Sequence, residues 1–225
     1  MRILIINGNA KNHGFISGAL NLVQDHLIAN GVRTSSLRLA DAEIQDCLGC
    51  FNCLKTGVCV LNDDMKEITE RMLNADGFVI GSPVRNGSTT ACYKRFYERI
   101  TYRLGFPLLL ADKHTLAISS VAYMGGKSTN RKFLGLQDVF QTKLSDFLFF
   151  KVGLPTKLEP AQVKDEFERS ADRLMRNIQS GKQRPVFNRI STALERFMIR
   201  RFMLMKSPDQ YAFVIKCWRE KGYMK

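Results

Sequence analysis

Short apolar runs alternate with amphipathic stretches across residues 1–155, the pattern of a parallel sheet with crossover helices. Residues 3–6, Ile-Leu-Ile-Ile, predict a buried strand that ends in Asn7-Gly8-Asn9. A helix follows from about Ser17 to Asn30, with Leu20, Val23, Leu27 and Ile28 at helical spacing and Gly31 as its stop. Residues 34–39 alternate like a second strand. Asp63-Asp64 gives an acidic start to a helix carrying Met65, Ile68, Met72 and Leu73. Phe78-Val79-Ile80 marks a third strand within 77–81, and a third helix spans about 90–103. The pattern continues with a strand at 115–121, a helix at 132–148, a fifth strand at 149–154 and a charged helix from about Pro160 to Gln179. Five strands interleaved with five helices predict a doubly wound α/β sheet.

Gly181–Pro185 has linker composition and divides a domain over 1–180 from an extension over 181–225. In the extension Ile190, Leu194, Phe197, Met198 and Phe202 share one helical face, with Arg196, Arg200 and Arg201 elsewhere. A second short helix is expected from about Asp209 to Gly222. Some 40 residues rarely build a core alone, so the apolar face is expected to dock on the main domain or on a partner subunit. Binding of nucleic acid or an anionic membrane by this aromatic, basic segment is the alternative.

Charge sharpens this division. The net charge is +13, and residues 182–225 hold 11 Lys and Arg against Glu195, Asp209 and Glu220. Basicity is thus a property of the extension and gives the domain itself no nucleic-acid signature. Apolar runs fall short of the ~18–20 residues that cross a bilayer. The opening Met1-Arg2-Ile3-Leu4 stretch is too short for a signal-peptide core, so a cytoplasmic location is expected.

Candidate chemistry begins where the first strand meets its helix. Gly8-Asn9-Ala10-Lys11-Asn12-His13-Gly14-Phe15-Ile16-Ser17 combines a helix N-terminus, whose free N–H groups attract anions, with glycines that let the backbone approach a ligand. Lys11 adds a charge and Ser17 a hydroxyl. The segment is neither a dinucleotide fingerprint nor a nucleoside-triphosphate loop. A βα turn using Gly and Ser only to turn and cap is the plainer explanation.

This loop resembles the phosphate-binding turn of the NAD(P)H-dependent FMN reductases, a flavodoxin-like family. Gly81-Ser82-Pro83-Val84-Arg85-Asn86-Gly87-Ser88, with Lys94-Arg95-Phe96 downstream, resembles the family segment lying along the isoalloxazine ring. Ala122-Tyr123-Met124-Gly125-Gly126 corresponds to its remaining flavin contact. The resemblance covers about 1–155 and implies a flavodoxin-like fold, with loops at the strand C-termini binding the ligand. It assigns FMN contacts to Asn9, Lys11, Gly14, Phe15, Ile16 and Ser17 in the first loop and to Pro83, Val84, Arg85, Asn86 and Gly87 in the second. Tyr123, Gly125 and Gly126 supply the third. Relatives often carry Ser-Pro-Arg where this chain has Asn9-Ala10-Lys11, and an aromatic where it has Arg85. A guanidinium there could stabilise the anionic reduced ring.

Cys47-x-x-Cys50-x-x-Cys53, then Cys59, packs four thiols into one loop. Thiolates suit zinc and iron–sulfur clusters alike, and the tight three-plus-one spacing leans towards a cluster. The motif also resembles that of the iron–sulfur flavoproteins, a branch of the same family holding a 4Fe–4S cluster beside FMN. Packing residues or a redox-active pair are the alternative. Cys92 and Cys217 read as buried small hydrophobes.

The resemblance implies an oxidoreductase passing electrons from NAD(P)H through FMN to a quinone, nitro, azo or flavin acceptor, assembled as a homodimer or homotetramer. No residue is assigned as general acid or base, because the cofactor carries the chemistry. A clustered electron carrier served by a ferredoxin-like donor is the second reading.

Overall fold

The computed structural model describes residues 1–155, 157–181, 193–194, 196–199, 201 and 206–224. Its centre is a five-stranded, all-parallel sheet in the order β2-β1-β3-β4-β5. The strands are β1 (Arg2–Asn7), β2 (Arg33–Arg38), β3 (Gly77–Pro83), β4 (His114–Val121) and β5 (Lys143–Lys151). The principal helices are α1 (Phe15–Ala29), α2 (Asn52–Thr56), α3 (Met65–Asn74), α4 (Ala91–Ile100), α5 (Lys127–Gly135), α6 (Lys164–Gln179) and α7 (Ala212–Glu220).

Strand periodicity builds the two layers. Leu4 and Ile6 of β1 pack with Met65, Ile68 and Met72 of α3 and with Phe96 and Ile100 of α4. Ile3 and Ile5 point the other way, onto Phe15, Leu20 and Val23 of α1 and Phe167 and Leu174 of α6. β3 and β4 are buried along their whole lengths because helices cover both faces. The ligand-facing loops therefore leave the sheet at one edge, the C-terminal ends of the strands.

The expected helix at 132–148 and strand at 149–154 need correction. α5 stops at Gly135 and β5 already starts at Lys143. Leu136 adopts a left-handed backbone (φ 48°), and the Thr142 hydroxyl donates to the Gly135 and Leu136 carbonyls at 2.6 and 2.9 Å. These contacts end the helix, and Phe147-Leu148-Phe149-Phe150 then follows strand geometry along β4. The third helix continues into a π-helical turn at Thr101–Gly105. The charged helix opens with a 3-10 turn at Pro160–Val163.

A third core joins the extension to the body. Val214, Ile215 and Trp218 of α7 are buried against Leu54 of α2, Leu108 and Ala111. The Trp218 indole N–H donates to the Phe106 carbonyl at 2.8 Å. Arg196 lies 4.1 Å from the Tyr223 ring centroid and donates to Gln141 at 3.0 Å. Leu194, Phe197 and Met198, from the face expected to dock on the main domain or on a partner subunit, are exposed on this chain. Ile190, Phe202, Arg200 and the linker beyond Gly181 lie outside the described residues. Among the described residues no helix is long and apolar enough to cross a membrane.

Candidate functional site

The first loop is held open by its own polar side chains. The Asn9 N–H donates to Asn7 Oδ1 at 2.9 Å, and the Asn9 amide donates to the His13 carbonyl at 2.9 Å. Ser17 Oγ donates to the Lys11 carbonyl and accepts from Asn7 Nδ2 at 3.1 Å. Gly8 is closely packed: an added Cβ would lie 3.0 Å from the Tyr93 ring and 3.1 Å from the Gly81 carbonyl, so both would have to give way slightly. Gly14 precedes α1 at φ 95°, and the first helical bond closes from the Gly18 N–H to its carbonyl. The N–H groups of the first turn therefore face outward, and that turn has no acidic residue.

The second loop leaves β3 and reverses at once. The Arg85 and Ser88 N–H groups each donate to the other residue's carbonyl, at 2.7 and 2.9 Å. Asn86 (φ 47°) and Gly87 (φ 77°) form the turn between them. Two consecutive positive φ values define a type I′ turn, which the Asn-Gly pair favours. The third loop supports it, since the positive-φ Gly126 lies directly under Val84. Beneath both, the Ser119 hydroxyl donates to the Ser82 carbonyl at 3.0 Å and Asn130 Nδ2 donates to Ser119 Oγ at 2.7 Å.

Between the loops lies an open cavity of about 340 Å³, within the range of small-molecule sites. Asn9, Lys11, His13, Gly14, Phe15 and Ile16 line one side and Pro83 and Arg85 another; Ser120, Ala122, Val152, Gly153 and Leu154 complete it. Its lining holds two cations and no carboxylate. An anionic group at the α1 end matches this distribution of charge.

The four-cysteine loop forms a second site on the α4 side. Cys47, Cys50, Cys53 and Cys59 line one pocket with Phe51, Arg99 and Tyr102. The pocket they share encloses little open space, about 20 Å³. Burial, and after it the neighbouring Cys59, Cys47 and Cys50, push the Cys53 thiol up to about 11. Among the described residues no three His, Cys, Asp or Glu side chains form a group that could hold a metal ion. The four thiols thus share a pocket without forming a ligand cage.

The sequence matches the family described as NADPH-dependent FMN reductase over residues 1–137, more than half of the chain. The chain belongs to this family. An iron–sulfur flavoprotein of Clostridioides difficile is 24% identical over 99% of each chain. One of Methanocaldococcus jannaschii is 34% identical over 113 residues, 48% of this chain and 56% of that protein, so little more than half of that relative is spanned. The NAD(P)H:quinone oxidoreductase of Methanothermobacter marburgensis superposes with a TM-score of 0.59 at 13% identity, over 82% of this chain and 99% of that one. That likeness shows the flavodoxin-like fold alone.

Within this FMN reductase family member the residues singled out from the sequence divide in two. Asn9, Lys11, Gly14, Phe15, Ile16, Pro83 and Arg85 line the cavity together. Ser17 and Val84 are buried behind it, the first tying the loop and the second resting on Gly126. Asn86 and Gly87 make the turn; Tyr123, Gly125 and Gly126 are not among the lining residues, and Tyr123 is exposed. Ala122, from the third loop, does line the cavity; sequence reasoning missed His13, Ser120 and the fourth loop at Val152-Gly153-Leu154. The last was hidden because the fifth strand was placed too late. Gly153, three residues after the Phe147–Phe150 run, was the available signal.

Proposed function

We propose that this chain binds FMN in the 340 Å³ cavity and transfers electrons from NAD(P)H to a small-molecule acceptor of the quinone, nitro, azo or flavin class. The observation that carries this reading is the alignment of the α1 N-terminus, Lys11 and Arg85 around one carboxylate-free cavity at the sheet's C-terminal edge. The α1 N–H groups and Lys11 would hold the phosphate. Pro83, Arg85 and the Ala122 and Gly153 backbones would flank the ring, and Phe15 and Val152 would exclude water from it. When bound, FMN supplies the hydride and single-electron chemistry; the protein orients it and tunes its potential. Association into dimers or tetramers would cover the exposed Leu194, Phe197 and Met198. The visible spectrum of anaerobically purified protein tests the reading: flavin bands that NAD(P)H bleaches are expected, and a colourless protein indifferent to added FMN would overturn it.

One observation favours a second reading, a 4Fe–4S electron carrier with a ferredoxin-like donor. All four thiols of the 47–59 loop share a pocket. Four thiols on one loop are the donor set of a cluster as well as of zinc, and their tight three-plus-one spacing leans towards the cluster. The names of the two relatives give the same direction. Iron and sulfide assays, with stopped-flow reduction by NADPH against reduced ferredoxin, separate the two.

A further inference from the structure

The base of the four-cysteine loop is stapled by a buried ion pair. Arg99 of α4 and Asp63 have side chains only 2% and 0% exposed. Arg99 Nη1 donates to Asp63 Oδ2 at 2.5 Å and to the Gln45 carbonyl at 2.7 Å; Nη2 donates to Asp63 Oδ1 at 3.0 Å. The Gln45 N–H donates to Asp63 Oδ2 at 2.9 Å, closing the ring of contacts. Residues 45 and 63 bracket all four cysteines, so one guanidinium ties the loop's entry to its exit. The remaining direction of the fork is used as well: Nη2 reaches Cys59 Sγ at 3.4 Å.

Only arginine has the planar fork that serves a carboxylate, a carbonyl and a sulfur at once. Asp63 already balances its charge, so the contact to Cys59 is not needed to satisfy Arg99. An N–H donated to a ligating sulfur, from a cation shielded from water, stabilises the more negative state of whatever that sulfur binds.

We propose that Arg99 is the positioning residue of the four-cysteine site, closing the loop's base and raising the reduction potential of a cluster held there through its N–H to Cys59. This rests on the cluster reading above. The test compares full-length wild type with R99K, and with R99Q/D63N, which removes both charges and leaves no lone buried one. Iron and sulfide content and the midpoint potentials of cluster and flavin are read by anaerobic redox titration. R99K is expected to keep its flavin potential while its cluster potential moves to more negative values, or to lose iron while retaining flavin. R99Q/D63N is expected to show the same changes to a larger extent. Variants with wild-type iron content and wild-type cluster potential would overturn the role of Arg99 alone. Loss of flavin together with iron in R99K would make Arg99 a general folding residue and also overturn it. Wild type without iron or sulfide after anaerobic reconstitution would remove this inference and the cluster reading together.

Discussion

Arg85 and Asp63 show how single residues here carry chemistry that their neighbours set. Arg85 is exposed, has the type I′ turn beneath it and lines the cavity. As a cation beside a reduced, anionic ring it would favour the reduced state, so Arg85→Tyr is expected to lower the flavin potential in a redox titration. An unchanged potential would place the guanidinium in solvent. For Asp63, burial raises the carboxyl, but the Arg99 fork and the Gln45 and Met65 N–H groups outweigh it and hold it below the ordinary 3.8. The pair's stabilisation is then fully present above pH 3.8 and is lost as pH falls through the lowered value. Urea unfolding should show Asp63→Asn less stable by about 3–5 kcal/mol near neutrality, the usual cost of leaving one buried charge alone. That gap should narrow only in acid below 3.8. At this scale the cysteine spacing and the Gly8-to-Ser17 loop were legible from sequence, because their chemistry is local. Arg99 was not, since it lies 40 residues from Cys59 on an ordinary amphipathic helix.

Elements were legible where hydrophobic period and stop signal agreed, as in β1, α1 and α3. The α5–β5 segment failed because Leu134, Leu144, Phe147 and Leu148 carry enough apolar character to extend a helix, while Leu136, the residue that ends it, has no turn signature. Only the long-range pairing of β5 with β4 decides between the two. α7 illustrates the opposite case, an element whose role is invisible locally. Its Phe213 ring covers the positive-φ Gly57 and its Trp218 is fully buried, so the helix forms the floor of the cysteine loop. Trp218→Ala is expected to cost about 3–5 kcal/mol in chemical unfolding, as for other large-to-small core changes. It should also speed alkylation of the cysteines by a thiol reagent in metal-free protein. Equal alkylation rates would show that α7 does not brace that loop.

On the scale of the molecule, the sheet sets one ligand edge and the extension reinforces a neighbouring site. The alternation of strands and helices made the doubly wound fold legible from the first 155 residues. Strand order was not legible in the pattern, since period alone does not choose neighbours, and it comes from the structure. The cavity's membership was legible in the two loops rich in glycine and lysine or arginine; its fourth wall depended on the true end of β5. Basicity concentrated in the extension accompanies α7 docking through Val214, Ile215 and Trp218, with its charged face in water.

The central claim is that the α1 end of the cavity holds the phosphate of a bound flavin, and it is tested most directly by comparing FMN with riboflavin. Quenching of flavin fluorescence by the apoprotein gives both affinities. FMN is predicted to bind at least about 100-fold more tightly, because the phosphate gains charged hydrogen bonds of about 1.5–3 kcal/mol each. Lys11→Ala should remove about tenfold of that difference while leaving riboflavin unaffected. Equal affinities for the two flavins, or no binding of either, would contradict the account.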